Sequence, residues 1–391
     1  MQKILEKLID KPIHRFCLKA SLMLNIIYPS RDHKIFQKIH LWTYLSFSTV
    51  FGLTLYVLYF IYNTTTSSQK IFCGMFIGAC SNASFLIMIN YSNREKFLKC
   101  YQNVLDYTTD RVHQVADALV ATKLFYLLVI FTIQSSMIGL YPLVLAAFSD
   151  QPLGSELTLV VTQYSFWDPS TSYGYLCTVI VQACNISLPL FALMGQTVFI
   201  FTMYLVFEGL HHEFVEKTRR MDDNPTDSVN DSITDEKYLK ELILRHRNIT
   251  MIIQDYAQAI EFMITMTISI NIVLGTFTVY ITVLTPTNYY QNLKMLAISS
   301  LLIMFAVPCY IGEFISHMNG EFQFELYSTN WYKKSIRYRK EFYIFLMFLD
   351  RTFTINFFGK YAVNYALFLS VLQKIYLIVQ FLLIMKKKGA L

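Results

Sequence analysis

The chain has 391 residues, 54% of them hydrophobic and only 15% charged, a balance that excludes the ordinary soluble classes and points to a membrane protein. Its net charge of +6 arises between apolar runs, which fits contact with anionic inner-leaflet lipid and not with nucleic acid. A spanning helix needs about 20 mostly apolar residues, and seven stretches qualify: 40–62, 71–91, 123–148, 173–207, 261–284, 295–315 and 355–385. The expected fold is all-α, one seven-helix membrane domain over residues 1–391.

Residues 1–39 precede the first span. Their opening run, MQKILEKLIDK, alternates charged and apolar residues and lacks a continuous apolar core. It reads as an amphipathic helix on the inner membrane surface and not as a cleavable signal peptide. Asn63-Thr64-Thr65, after the first span, is the one glycosylation sequon placed on the expected outer side; those at Asn82 and Asn185 fall in spans, and those at Asn230 and Asn248 in cytoplasmic segments. Loop 149–172 carries acids and no Lys or Arg, with Pro152, Gly154, Trp167 and Pro169; a lid and a plain surface loop are equally compatible with it.

Segment 208–258 holds a polar, flexible stretch at 221–232 between flanks of helical periodicity, so the fourth and fifth spans are expected to continue into the cytoplasm as helices. His211-His212-Glu213 lies here. Adjacent helical residues do not share a face, so this run reads as a solvated helix end and not as a metal site. Residues 322–350 mix apolar and basic side chains at helical spacing and are expected to form a cytoplasmic helix packed on those extensions. The regions 208–258 and 317–354 together make the expected cytoplasmic layer.

Orientation follows from Lys and Arg in the loops. The tail before Ile39 and the segments after the second span, after the fourth and before the seventh hold 25 of them; the opposite loops and the C-terminal trio Lys386, Lys387 and Lys388 hold five. The N-terminus is therefore expected in the cytoplasm and the C-terminus outside, against the local pull of that trio. The seven cysteines are odd in number and none lies in an expected outer loop, which argues against an extracellular disulfide framework. Cys73 and Cys177, near the outer leaflet, read as buried thiols in preference to a pair.

There is no P-loop, dinucleotide fingerprint or nucleophile elbow, so neither an enzyme nor a cofactor is expected. The last span is the informative one. As a continuous helix over 355–385 it would be about 46 Å long. Ala366, Ser370, Gln373, Leu377, Gln380 and Ile384 share one face, small or polar in its inner part. Such a stripe, closing in Phe381, Ile384 and Met385, fits a pore-lining helix with an outer apolar constriction; it equally fits helix packing through polar contacts. Lys374 lies near mid-depth, where a ring of lysines would repel cations, so it must point aside if this helix lines a cation path.

The run from Phe368 through Leu372, Gln373, Lys374 and Tyr376, with the Leu382-Leu383 pair, resembles the terminal helix of the insect odorant receptors. Glu325-Leu326-Tyr327, Trp331-Tyr332 and the basic run through Lys340 resemble the helix before it in that family. The resemblance implies a tetrameric ligand-gated cation channel with a central pore lined by the last helix. It implies assembly of an odorant-tuning subunit with a shared co-receptor, in the plasma membrane of olfactory dendrites. Since the co-receptor has a much longer second cytoplasmic loop than 208–258, this chain is similar to a tuning subunit. By the same resemblance the pore-lining residues are Ser370, Gln373, Leu377, Gln380, Phe381, Ile384 and Met385, and the subunit contact includes Tyr327, Trp331 and Tyr332.

A volatile ligand is then expected in an apolar pocket in the outer half of the bundle. Its candidate residues are Phe72, Met75, Phe76 and Ala79 on the second span; Ser136, Gly139 and Leu143 on the third; Tyr175 and Val179 on the fourth; and Ser299, Ser300 and Ile303 on the sixth. As a set they suit a small, mostly apolar molecule with one or two polar groups.

Gustatory receptors carry Thr-Tyr, five residues, then Gln-Phe; here Ile375 replaces Thr and only three residues separate Tyr376 from Gln380-Phe381. A G-protein-coupled receptor requires an outer N-terminus, an acid-Arg-aromatic triplet ending the third span and Asn-Pro-x-x-Tyr in the seventh, none of which is present. A tag on the N-terminus is expected to stain only permeabilised cells; staining of intact cells would reverse the topology.

Overall fold

The computed structural model describes residues 88–89, 92–119, 123, 168, 170–220, 229–284 and 291–387. Segment 1–39, the first span with Asn63, most of the second and third spans, and most of loop 149–172 lie outside the described residues.

Three long helices carry the architecture. Thr171 caps α3 (Ser172–Arg219), its hydroxyl accepting from the Gly174 N–H at 3.2 Å. Lys217 and Arg219 in the last turn complement the helix dipole. With 48 residues, α3 runs about 72 Å, more than twice the hydrocarbon thickness. It therefore continues far past the membrane, as does α4 (Val229–Leu284, 56 residues). The third, α5 (Gln291–Tyr327), contains Pro308. Two short helices, α1 (Arg94–Tyr107) and α2 (Asp110–Leu119), pack against α4 and α3 respectively.

From Phe199 to Leu210 every α3 residue except Glu208 is buried, so α3 is the central helix of the bundle, apolar all round. It packs against Ile249–Ile268 of α4 and Cys309–Leu326 of α5 through one continuous apolar core. Phe207 meets Tyr256 and Phe214 meets Phe322 at ring separations of 5.1 and 4.2 Å.

The cytoplasmic run expected as one helix over 322–350 is two pieces. After α5 ends at Tyr327, a 3-10 turn at Trp331–Lys333 reverses the chain, and α6 spans Ile336–Leu349. Ser335 caps α6 by accepting from the Tyr338 N–H at 3.2 Å. Ser328, Thr329, Asn330 and Ser335 are the local reason: short polar side chains that bond the nearby backbone favour turns over helix interiors.

The last span also differs from expectation. Residues 355–364 are not helical. They form a hairpin of β1 (Asn356–Phe357) and β2 (Tyr361–Ala362), antiparallel, with Asn356 opposite Ala362. At its tip Phe358 (φ 53°) and Gly359 (φ 65°) are both left-handed, and the Lys360 N–H donates to the Phe357 carbonyl at 3.2 Å. The Phe358 N–H donates to Thr265 Oγ1 of α4. The last helix, α7, covers Tyr365–Lys387. Asn364 caps it by accepting from the Leu367 N–H at 3.0 Å. Its 23 residues span about 35 Å, one membrane thickness.

The base of α7 is locked to α5 by a close backbone approach. A Cβ at Gly312 would lie 1.8 Å from the Val363 carbonyl oxygen, so only glycine admits this contact. Gly312→Ala is expected to destabilise the protein by about 1–3 kcal/mol through overpacking, read as a lower melting temperature in lipid nanodiscs. An unchanged melting temperature would mean that this approach is not made in the folded chain.

Candidate pore helix and subunit interface

Helix α7 is bound to its own bundle on one side only. Val371 and Val379 are buried, and Leu367, Phe368 and Ile375 pack on the core from α4 and α5. Phe368 meets Phe305 at 5.2 Å. Only 11% of the most apolar stretch of α7 is buried, against 56% for the corresponding stretch of α4. At 3.6 residues per turn, Ala366, Gln373, Leu377, Gln380 and Ile384 centre about 180° from the packed line through Val371, Ile375 and Val379.

Those five side chains are exposed, as is Phe381, while Ser370 and Met385 are half-buried. The structure thus leaves the Gln373–Leu377–Gln380–Ile384 stripe without a partner among the described residues of its own bundle, apart from an intrahelical bond. In that bond Gln380 Nε2 donates to Tyr376 Oη at 2.6 Å. Lys374 is exposed but lies about 80° off the centre of the stripe.

At the opposite end, Tyr327 and Tyr332 are exposed, as are Phe324 of α5 and Ile336, Tyr343, Met347 and Phe348 of α6. Trp331 has a different place. It is half-buried and stacks on Phe342 at 5.4 Å with 15° between planes, so it holds the turn against α6.

Ion pairs tie this layer together. Arg219 grips Glu325 through Nε and Nη2 at 3.1 and 2.7 Å, and that hydrogen bonding holds the Glu325 carboxyl below its usual range. Lys217 pairs with Glu241 at 2.8 Å and lowers it likewise; Lys334 pairs with Asp235 at 3.0 Å. The Arg245–Glu213 pair is buried, and Arg245 also donates to the Tyr107 carbonyl at 3.3 Å. Several of the basic residues counted for the expected orientation are thus matched by acids.

One polar chain links that layer to the base of α7. Asn319, 1% exposed, lies 3.1 Å from His246 Nε2 through its Oδ1 and donates its Nδ2 to the Arg351 carbonyl at 2.5 Å. Around it the His246 ring contacts Phe345 and Phe353 at 5.5 and 6.1 Å. Burial pushes the His246 pKa below its ordinary value, against the smaller upward pull of Asn319. Sequence reading missed both residues: an isolated His and Asn in apolar periodic helices carry no pattern that marks them as partners.

His211, His212 and Glu213 diverge. His211 stacks on Phe322 at 5.3 Å with Nε2 2.7 Å from the Glu321 carboxylate, His212 is exposed, and Glu213 pairs with Arg245.

Of the ligand-pocket candidates, Tyr175 and Val179 are buried one turn apart near the start of α3. Ser299, Ser300 and Ile303 lie on α5. Phe72, Met75, Phe76, Ala79, Ser136, Gly139 and Leu143 lie outside the described residues, as does Cys73. Cys177 is a free thiol on an exposed part of α3, not the buried one expected.

Helices longer than a membrane is thick, packed together beyond that length, with a last helix held on one face, define a polytopic helical membrane protein. The family described as 7tm Odorant receptor matches residues 94–376, and the chain belongs to that family. Its fold is the family's seven-transmembrane helical fold, a receptor architecture and not an enzyme's. Solved structures similar in fold include two of one insect olfactory receptor. The insect olfactory receptor OR5 from Machilis hrabei in complex with eugenol has a TM-score of 0.75 at 11% identity, covering 95% of this chain and 97% of that one. A second structure of OR5 from Machilis hrabei has a TM-score of 0.72 at 11% identity, with the same coverage. No curated protein sequence matches the chain.

The His246 site sets a pH dependence. Its folded-state pKa is depressed, so the unfolded chain binds the proton more readily. Stability is therefore present above the unfolded value of about 6.5 and is lost as pH falls below it. The melting temperature is expected to drop from pH 7.5 to 5.5, and less steeply in His246→Phe. Equal slopes would rule out His246 as the source.

Proposed function

We propose that this chain is the odorant-tuning subunit of a ligand-gated, non-selective cation channel, assembled with co-receptor subunits around a central pore in the plasma membrane of olfactory dendrites. The observation that carries this reading is the orientation of α7. Its packed face is apolar and its free face bears Gln373 and Gln380. Polar side chains at membrane depth face protein or water and not lipid, and this face has no protein partner in the described bundle. A water-filled axis shared with other subunits satisfies it.

In this reading Ser370, Gln373, Leu377 and Gln380 border the pore, and Phe381, Ile384 and Met385 form its outer apolar constriction. Met385, half-buried, contributes from the side. Lys374, off the stripe, faces a neighbouring helix boundary and not the ion path. The exposed surface at Tyr327 and Tyr332 is a subunit contact, because an apolar patch in a cytoplasmic layer calls for a partner; Trp331 positions it. The volatile ligand sits in the outer half among Phe72, Met75, Phe76, Ala79, Ser136, Gly139, Leu143, Tyr175, Val179, Ser299, Ser300 and Ile303. Its occupancy opens the pore by binding the open state more tightly. The N-terminus is cytoplasmic and the C-terminus outside, with Asn63 glycosylated.

The test is current from cells given this chain and a co-receptor, challenged with a broad volatile panel. Odour-evoked cation current is expected. A thiol reagent is expected to block it in Leu377→Cys and to leave Val379→Cys unaffected. Surface-expressed subunits that give no current to any volatile would overturn the reading. Block at Val379→Cys but not Leu377→Cys would place the pore on the wrong face.

A further inference from the structure

Helices α4, α5 and α7 do not close fully on one another. A cavity of about 60 Å³ remains between them, lined by Asn271 and Gly275 of α4, Leu302 and Phe305 of α5, and Val371 and Ile375 of α7. The missing side chain at Gly275 creates the space: a Cβ there would already lie 3.4 Å from Ile375 Cδ1. Leu302, 39% exposed, stands at the mouth. The cavity shares no residue with the outer-half pocket proposed above.

Asn271 is its one polar side chain. It is only 6% exposed, and its Nδ2 has no hydrogen-bond partner among the described residues. Buried amide donors are almost always satisfied, and an orphan at membrane mid-depth calls for an acceptor. Water fits poorly, because an ordered buried water needs two to four polar partners and this wall offers one. A pure hydrocarbon fills the space but leaves the amide unpaired.

We infer that this cavity is a binding site for a small neutral molecule with an apolar body and one hydrogen-bond acceptor, such as a short ketone, its oxygen on Asn271 Nδ2 and its alkyl part against Gly275 and Phe305. The volume admits roughly four to six water-sized groups, which sets the size class. The floor of the site is the packed face of α7, so an occupant bears directly on the position of that helix. This consequence for gating rests on the channel reading above; the binding itself does not.

The experiment therefore reads occupancy and not current. The full-length chain in phosphatidylcholine nanodiscs is photolabelled with a short aliphatic ketone carrying a diazirine, and labelled peptides are mapped by mass spectrometry. Label is expected on peptides containing Gly275, Leu302 or Ile375, and unlabelled 2-pentanone is expected to compete for it. Asn271→Leu is expected to reduce that label about five-fold, the worth of one hydrogen bond. Gly275→Val, which fills the space from the next turn of the same helix, is expected to abolish it. Helicity and elution volume confirm that each variant folds, and competition on the unmodified chain gives a result without either. Equal labelling in both folded variants, no competition by 2-pentanone, or equal labelling by a diazirine alkane lacking the carbonyl would overturn the site. Labelling that succeeds where recordings give no current would sustain the site and count against the channel reading alone.

Discussion

Val371, Ile375 and Val379 hold the last helix against α4 and α5, and the rest of its circumference is left over. That one-sided attachment is the constraint on which the remaining arrangement depends. A membrane helix with apolar residues on every side can dissolve in lipid wherever it lies. Here Gln373 and Gln380 sit opposite the attachment line, and a primary amide in hydrocarbon, with no partner, costs several kcal/mol. The helix is therefore stable only if something polar meets its free side. The described residues of one copy do not provide it, and that is the ground for the pore reading proposed above.

The helical layer beyond the spans answers the converse problem. Long helices that leave the membrane must bury their apolar faces against something other than lipid. They do so against each other, around Phe214, Phe322 and Phe342. The many basic residues at this end would repel one another if left alone. Pairs such as Arg219–Glu325 and Lys217–Glu241 disperse that repulsion; being exposed, each contributes little stability by itself. The Arg245–Glu213 pair is a different case, because Glu213 is buried and loss of Arg245 strands its charge.

Much of this was legible in the sequence. The helices of the fourth, fifth and sixth spans, the great length of the fourth and fifth and the stripe on the last helix follow from periodicity, which reports which face is apolar. Periodicity is silent about ends. The 355–385 run looks continuous because Ile355, Phe357, Tyr361 and Val363 are as apolar as a helix requires. Gly359, Asn356 and Asn364 were the signal that it is not: they favour left-handed turns and caps, and they place ten residues in a hairpin. Trp331 shows the same limit in another form. A motif identifies a residue but not whether its ring faces a partner subunit or its own turn, and here the ring lies on Phe342. Asn271 and Gly275 were invisible for a third reason. A void is a property of three helices at once, and no single-helix pattern encodes it.

The two ends of α7 are held very differently. At the base, three independent contacts converge within ten residues: Gly312 on the Val363 carbonyl, Phe358 N–H on Thr265, and Tyr365 N–H on Glu313 Oε2 at 3.1 Å. Asn319 then connects this base to His246 through the Arg351 carbonyl. Beyond the first turns, attachment is dispersion alone, and it is interrupted at Gly275. Directional hydrogen bonds resist rotation and translation, whereas contact between apolar side chains resists mainly separation. A force applied to the outer part of α7 therefore tilts it about its base more readily than it slides the whole helix. The residues that move furthest in such a tilt are Phe381, Ile384 and Met385, at the C-terminal end of the helix. In the pore reading proposed above these form the constriction, and hydrophobic constrictions gate by dewetting.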